Sequence, residues 1–418
     1  MKSFYALYHK ALRAAIDQKL GEAFSEDVMP EEFDQHHLDC LFNPDVHPPV
    51  WRINDCHCSE AEKEQCLKGC FFDALLKDER GNVVISEELC NGCGECVLNC
   101  KEKILIERKD LLPIFELLNC QGASVYAMIA PAFISQFSQE VTPGKLRNAF
   151  KKLGFAGMIE VALFADVLTL KEALEFDRTI KDDQDILLSS CCCPIWIAMI
   201  RKVYKQLIPH IPPSVSPMVA CGRSIKKLNP GAITVFIGPC MAKKAEAKEA
   251  DVRDAVDFVL TFQEVRDIFD IAGIDPKDFE DDLRDHTSAA GRIYARTGGV
   301  SEAVQRTLDK LVPNRPVALK AQQANGVAEC KKLLNQMMNG ELKANFIEGM
   351  GCVGGCVGGP KAILNKEEGT EHVNRYGSEA TYATPVENPY VIELLHRLGY
   401  DTIESLLEKD RMFTREFN

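Results

Sequence analysis

The stretch Phe346 to Pro360, FIEGMGCVGGCVGGP, sets Cys352 and Cys356 among six glycines with three residues between them. Glycine adds backbone entropy and no side-chain packing, so the stretch is expected to form neither a helix interior nor a packed strand. It permits tight turning and close approach of backbone to something bulky. Two thiolates on such a loop suit an iron–sulfur cluster, which takes cysteine ligands and accepts backbone N–H groups near its sulfurs. A plain glycine-rich turn with two buried thiols is the other reading. A second group, Cys90, Cys93, Cys96 and Cys100, is spaced C-x2-C-x2-C-x3-C. That spacing lets three thiolates wrap one cube while the fourth points elsewhere, a strong [4Fe–4S] signature. Upstream lie Cys56, Cys58, Cys66 and Cys70. Their C-x3-C end matches the same pattern. The front, C-x-C-x7-C, is irregular and leaves a structural or zinc site as an alternative for the C-x-C pair.

Composition narrows the setting. The 418 residues carry 49 basic and 62 acidic side chains, a net charge of −13, which argues against a nucleic-acid or anionic-membrane partner. No apolar run approaches the ~20 residues that span a bilayer. The first twenty residues read as an amphipathic helix and not as a signal peptide. Eighteen cysteines without an export signal imply a reducing, cytoplasmic setting and metal or cluster ligation in place of disulfides.

The elements that must hold these cysteines follow from hydrophobic periodicity. Residues 1–24 are expected to be helical and 25–55 loop-like. The loop includes His36, His37 and His47, either a metal site or solvated side chains. GNVVISEEL, between the two cysteine runs, fits a short strand and turn. From about residue 113, apolar runs alternate with helical stretches: VYAMIAPAF, a buried strand ending at Pro131, then GMIEV, ILLSS, ITVFIG and VDFVL. This predicts an α/β architecture with largely parallel sheets and functional loops at the carboxyl ends of strands. ILLSS runs into Cys191–Cys193, and ITVFIG runs into Cys240. The expected organisation is an N-terminal helical and loop segment over 1–50, a cluster domain over 51–112, a catalytic domain over 113–385 and a helical tail over 386–418.

The cysteine-rich N-terminal half resembles a bacterial two-cluster ferredoxin. In that family the fourth cysteine of each run serves the other cluster. The resemblance implies one cube on Cys90, Cys93, Cys96 and Cys70, and another on Cys56, Cys58, Cys66 and Cys100. Three further stretches, SSCCCPIW, GPCMAKKAE and FIEGMGCVGGCVGGP, resemble in order the three signature motifs of [FeFe]-hydrogenases, most closely the clostridial-type group B enzymes. The implied fold is a two-lobed catalytic domain of mostly parallel sheets flanked by helices, preceded by an α+β ferredoxin-like domain. The implied cofactor is the H-cluster, a [4Fe–4S] cube joined to a two-iron unit carrying CO and cyanide. Aligned on Pro194 and Trp196, the resemblance gives the cube Cys193, Cys240, Cys352 and Cys356, with Cys356 bridging to the diiron unit. It makes Cys192 the proton-carrying thiol, and a register shifted by one would make it Cys191. Lys243 takes the cyanide-anchoring position and Met350 packs near the bridging carbonyl. Ala130 and Pro131 cradle the second cyanide, and Glu246 closes the cofactor-binding set. The implied reaction is 2 H⁺ + 2 e⁻ ⇌ H2, with a ferredoxin-type electron carrier and hydrogenase maturation proteins as partners.

This chain departs from that pattern at several positions. Gly238 stands where the best-known enzymes carry methionine, Ala132 where they often carry serine, and Pro212 where their proton route bears a hydroxyl. Glu172 and Glu175 fall at the spacing of relay carboxylates, or on a solvated helix face. Cys40, Cys120, Cys221 and Cys330 match no motif and are expected in the core. Two alternatives share the scaffold: a slowly turning H2 sensor, and a non-catalytic iron–sulfur assembly protein lacking the diiron-binding residues.

Overall fold

The computed structural model describes residues 3–25, 33–120, 122–182, 184–408 and 410–417. The N-terminal helix runs Phe4–Ile16, with the Ser3 side chain accepting from the Ala6 N–H, and a short turn of helix follows at Leu20–Ala23. Met1, Lys2 and residues 26–32 lie outside the described residues. The stretch expected to be loop carries a helix, Gln35–Phe42, capped by Asp34 and burying His37, Leu38, Cys40 and Leu41. Its three histidines do not converge on one point. His36 Nε2 lies 3.0 Å from Arg52 O, His37 Nε2 reaches Ile53 O, and His47 Nε2 pairs with Asp39 at 2.8 Å.

Four short strands frame the first two cysteine runs: β1 (Val50–Arg52), β2 (Leu75–Lys77), β3 (Val83–Ile85) and β4 (Leu105–Glu107). They form two antiparallel pairs, β1 with β4 and β2 with β3. The helix Glu60–Lys68 carries a full capping box of Ser59 and Glu62, which fixes where Cys66 and then Cys70 leave it.

Seven more strands build two parallel sheets: β5 (Val125–Ile129), β6 (Gly157–Glu160), β7 (Leu187–Leu188), β8 (Ile233–Gly238), β9 (Phe258–Thr261), β10 (Ala321–Asn325) and β11 (Phe346–Met350). The larger sheet has the order β6-β5-β8-β9 and the smaller β10-β11-β7. The central strands β5, β8 and β11 are apolar and almost wholly buried, as strands of a parallel sheet covered on both faces must be. The strand β11 corrects the expectation for the glycine-rich stretch. Its first five residues are a fully buried strand paired on both sides, and the turning begins only after Met350.

The packing joins both ends of the chain to the larger sheet. Phe4, Leu7 and Leu12 share one core with Met128 and Val235 of the sheet, and with Leu394 and Phe413 of the C-terminal segment. Buried charges are paired across this junction. Glu107 on β4 binds Lys109 and Lys361, and Lys244 binds Asp110 and Glu264. Such pairs are costly to break, because one partner alone would be left as an uncompensated buried charge. Cys40, Cys221 and Cys330 are buried as expected, whereas Cys120 is exposed at the end of the helix Leu111–Leu118.

Candidate metal centre

Every loop singled out in the second half leaves the carboxyl end of a parallel strand. The strand β5 runs into Ala130–Pro131, β7 into Ser189–Cys193, β8 into Pro239–Cys240 and β11 into Gly351–Cys356. Parallel strands put these ends on one side of their sheets, where side chains from distant parts of the sequence meet. Cys193 caps the helix Pro194–Lys202, with Pro194 at its first position. The Trp196 indole N–H donates to Ser189 O at 2.8 Å and ties the turn to the strand before it. A Cβ on Gly349 would fall 2.1 Å from the Trp196 ring, so this strand approaches the helix only with glycine there. Gly355 has φ +82°, and a Cβ there would meet the Thr297 backbone at 2.8 Å.

Cys193, Cys240, Cys352 and Cys356 come together. Burial, and then the charges of Cys240, Cys193 and its other neighbours, push the Cys352 thiol well above its ordinary range. Burial, with Cys240 and Cys193, raises Cys356 to about 12. Burial raises Cys240 to about 11, against the opposing pull of Lys243. Cys240, Cys352 and Cys356, crowded in a buried site, resist ionising unless a cation takes the protons' place, the condition in which metal binding and deprotonation are coupled. The Gly351 N–H donates to Cys193 Sγ at 3.3 Å, the kind of amide-to-sulfur bond a cluster thiolate accepts. The donor set therefore fits a [4Fe–4S] cube.

Cys192 stands beside this set and apart from it. Burial pushes its thiol well above the usual range, with Cys356 and Cys193 adding to the rise and Lys243 opposing it. Lys243 is itself buried. Its Nζ donates to Cys192 O at 2.9 Å and to Glu246 Oε2 at 2.6 Å, so Glu246 holds the ammonium in place. Met350 and Ala130 are buried at the ends of their strands, with Pro131 following Ala130. The room that a methionine would need at Gly238 is taken by the Phe236 ring, whose edge a Cβ would meet at 2.9 Å.

Behind Cys192 is a cavity of about 10 Å3, enough for one water, lined by Glu172, Ser190, Cys191, Ser214 and Tyr294 among others. Burial raises the Glu172 carboxyl to about 7. Ser189 lies near enough to oppose that rise but outside hydrogen-bonding geometry. Glu172 Oε1, Ser189 Oγ and Ser190 Oγ have no protein partner. Ser190 also holds φ +68°, left-handed backbone in a non-glycine residue at the entrance to the triple cysteine. The Cys191 Sγ donates to Pro212 O at 3.5 Å.

Beyond the cavity, the buried Lys171 Nζ donates to Ser214 Oγ at 3.0 Å and to Glu175 Oε1 at 3.2 Å. Glu175 in turn accepts from Arg178, whose side chain is half exposed. Both glutamates are thus buried and not on a solvated face. Lys171 and Ser214 were not singled out from the sequence. Ser214 lies two residues past the Pro212 that lacks a hydroxyl, and only the fold brings it to Lys171.

The first two cysteine runs approach one another in space. Cys96 feels Cys93, Cys90 and Cys70 after burial, and Cys66 less, and Cys93 feels Cys90 and Cys70. Cys66 feels Cys100 and Cys56 first, and Cys70 after them. Cys56, Cys58, Cys66 and Cys100 line one cavity of about 310 Å3, with Cys96 also on its wall. Cys93 is also among the groups acting on Cys352, so the first set adjoins the buried four.

A family model described as the iron-only hydrogenase large subunit, C-terminal domain, matches residues 123–360. The chain belongs to that family. The iron-only hydrogenase region holds Cys191 to Cys193, Cys240, Cys352 and Cys356 together with Lys243, Met350 and the Glu172 cavity. The chain is 26% identical over 375 residues to the NADP-reducing hydrogenase subunit HndD of Solidesulfovibrio fructosivorans, covering 75% of this chain and 63% of that protein. It therefore spans less than two thirds of that relative's length. It is 24% identical over 350 residues to a probable cytosolic Fe–S cluster assembly factor of Drosophila ananassae, covering 68% of this chain and 73% of the relative. Its fold matches a variant of the [FeFe]-hydrogenase HydA1 from Chlamydomonas reinhardtii, with a TM-score of 0.58 at 22% identity over 72% of this chain and 96% of that one. Among the described residues, no helix of this family member is long and apolar enough to cross a membrane.

Proposed function

We propose that this chain is a cytoplasmic [FeFe]-hydrogenase that interconverts H2 with protons and electrons, with a ferredoxin-type carrier as its electron partner. The observation that carries this reading is the fifth thiol, Cys192, set against four convergent thiols and bonded through its carbonyl to the buried Lys243. A cube alone needs four cysteines. The fifth, with a buried ammonium and a proton-accepting cavity behind it, is what a site moving protons requires. Cys193, Cys240, Cys352 and Cys356 would hold the cube, and Lys243, Ala130, Pro131 and Met350 would hold the diiron unit. When bound, this group supplies the metal position at which H2 is formed or split.

The chain's own residues do the rest. Glu246 fixes Lys243, leaving a directed donor toward Cys192 and the cofactor. A proton on Cys192 Sγ faces a cavity whose far wall is Glu172, a carboxyl that titrates near neutral pH. Ser214, Lys171, Glu175 and Arg178 continue to the surface. Cys70, Cys90, Cys93 and Cys96 would hold the relay cube nearer the centre, and Cys56, Cys58, Cys66 and Cys100 the distal one. The maturation proteins that supply the diiron unit in this family would be further partners.

A second reading, a non-catalytic iron–sulfur assembly protein, draws support from the Drosophila relative, of which this chain spans the larger share. The test is to load the purified protein with iron and sulfide, then with the diiron unit, and to assay H2 evolution from a reduced electron carrier. Turnover is expected. A fully loaded protein that produces no H2 would support the assembly reading instead.

A further inference from the structure

The C-x-C loop does not behave like the other cysteine loops. In C-x2-C-x2-C each thiol can reach its own iron. With one residue between them, Cys56 and Cys58 are crowded. A carboxylate oxygen of Glu102 joins them, and the three donor atoms lie within 4.8 Å of one another. Among the described residues no other trio of His, Cys, Asp or Glu is this tight, including the cysteines grouped here as cube ligands. Donors on one tetrahedral metal ion, bound at about 2.0–2.3 Å, sit roughly 3.5 Å apart, so a single iron could reach both Cys58 and Glu102.

Glu102 is also aimed. The His57 N–H, in the middle of the C-x-C loop, donates to Glu102 Oε2 at 2.9 Å across 45 residues of sequence. Cys56 and Cys58 face the distal cavity, while Glu102 and His57 border an open cavity on the outer side. The loop is the wall between the two, and Glu102 approaches Cys58 from the solvent.

We propose that Glu102 is a ligand at the corner of the distal cluster served by Cys58, making this a mixed thiolate–carboxylate site. The inference rests on reading Cys56, Cys58, Cys66 and Cys100 as the distal relay site. It does not depend on H2 chemistry.

The test uses the full chain loaded with iron and sulfide alone, without the diiron unit, so the H2 assay and this measurement fail separately. Iron content and electron paramagnetic resonance are read for wild type, Cys58→Ala, Glu102→Gln and the double variant. Wild type should hold roughly twelve irons in three cubes. Each single variant should keep that count, with the distal signal altered in Cys58→Ala. The double variant should lose at least one iron and show a three-iron signal, or lose the distal cluster. The signal of the Cys70, Cys90, Cys93 and Cys96 cluster reports folding in every sample. Should Cys58→Ala fail to fold, Cys58→Val gives the same readout, because valine also offers iron no donor atom. The proposal is overturned if Cys58→Ala alone is as damaged as the double variant, if the double variant keeps its full count, or if wild type holds one isolated metal ion here.

Discussion

Cys193 caps the helix Pro194–Lys202, while Cys192, one residue earlier, lines the cavity with Glu172 and Tyr294. If Cys193 holds the cube and Cys192 carries the proton, their alanine variants should fail differently. Cys192→Ala should lower turnover by roughly 10²–10⁴-fold, the usual contribution of a general acid–base group, while the infrared bands of the diiron unit persist. Cys193→Ala should prevent stable cube assembly. Cys191→Ala should do less than either, because its thiol points to Pro212 O. A turnover loss in Cys191→Ala with Cys192→Ala unaffected would shift the assignment by one residue. Glu172 supports a pH prediction. Its folded pKa, about 7, lies above the ordinary 4.5 because burial disfavours the charge. Below 4.5 the carboxyl is protonated in both states and costs nothing. As pH rises through 7 the folded protein must bury a charge, and that stability is lost, roughly 3 kcal/mol at about 1.4 kcal/mol for each pH unit between the two values. Glu172→Gln should therefore match wild type in stability at pH 4 and exceed it at pH 8, while slowing proton transfer. Equal stability at pH 8, measured by urea unfolding of the cluster-free chain, would mean that Glu172 is not buried as a neutral acid.

The relay loops carry a prediction at the scale of elements. Cys70 follows the helix Glu60–Lys68 and acts on Cys90, Cys93 and Cys96, while on Cys66 it acts less than Cys100 and Cys56 do. Cys70→Ala should damage the cluster of the second cysteine run and spare the one holding Cys56, Cys58 and Cys66. Electron delivery should fall with the buried centre still loaded. Loss of the distal signal instead, by electron paramagnetic resonance, would refute the exchange. The parallel strands were legible because buried strands are continuous apolar runs, and the loops at their carboxyl ends followed from topology. The strand β10 was not, because AQQAN is a polar edge strand that carries no apolar run. The strand β11 was hidden by Gly349, which is there to admit Trp196 and not to turn the chain. The helix Gln35–Phe42 was hidden among histidines and prolines, two turns being too short to show a period. At the site, the cysteines were singled out by their spacing in the first two runs and by the resemblance in the second half, whereas Lys171 and Ser214 meet only through the fold.

At the scale of the molecule, the two cysteine-rich halves are stitched together by buried ion pairs and by the approach of Cys93 to Cys352. The terminal segments close the same core. On the proposed reading, the cysteine sets of the first two runs would pass electrons inward to the buried set. The central claim is that this centre carries a diiron unit as well as a cube. Iron analysis with infrared spectroscopy on the matured full-length protein tests it most directly. The account predicts roughly fourteen irons, two relay cubes and a buried cube with two further irons, together with CO and cyanide stretching bands. A stable count near four irons with no such bands would contradict it.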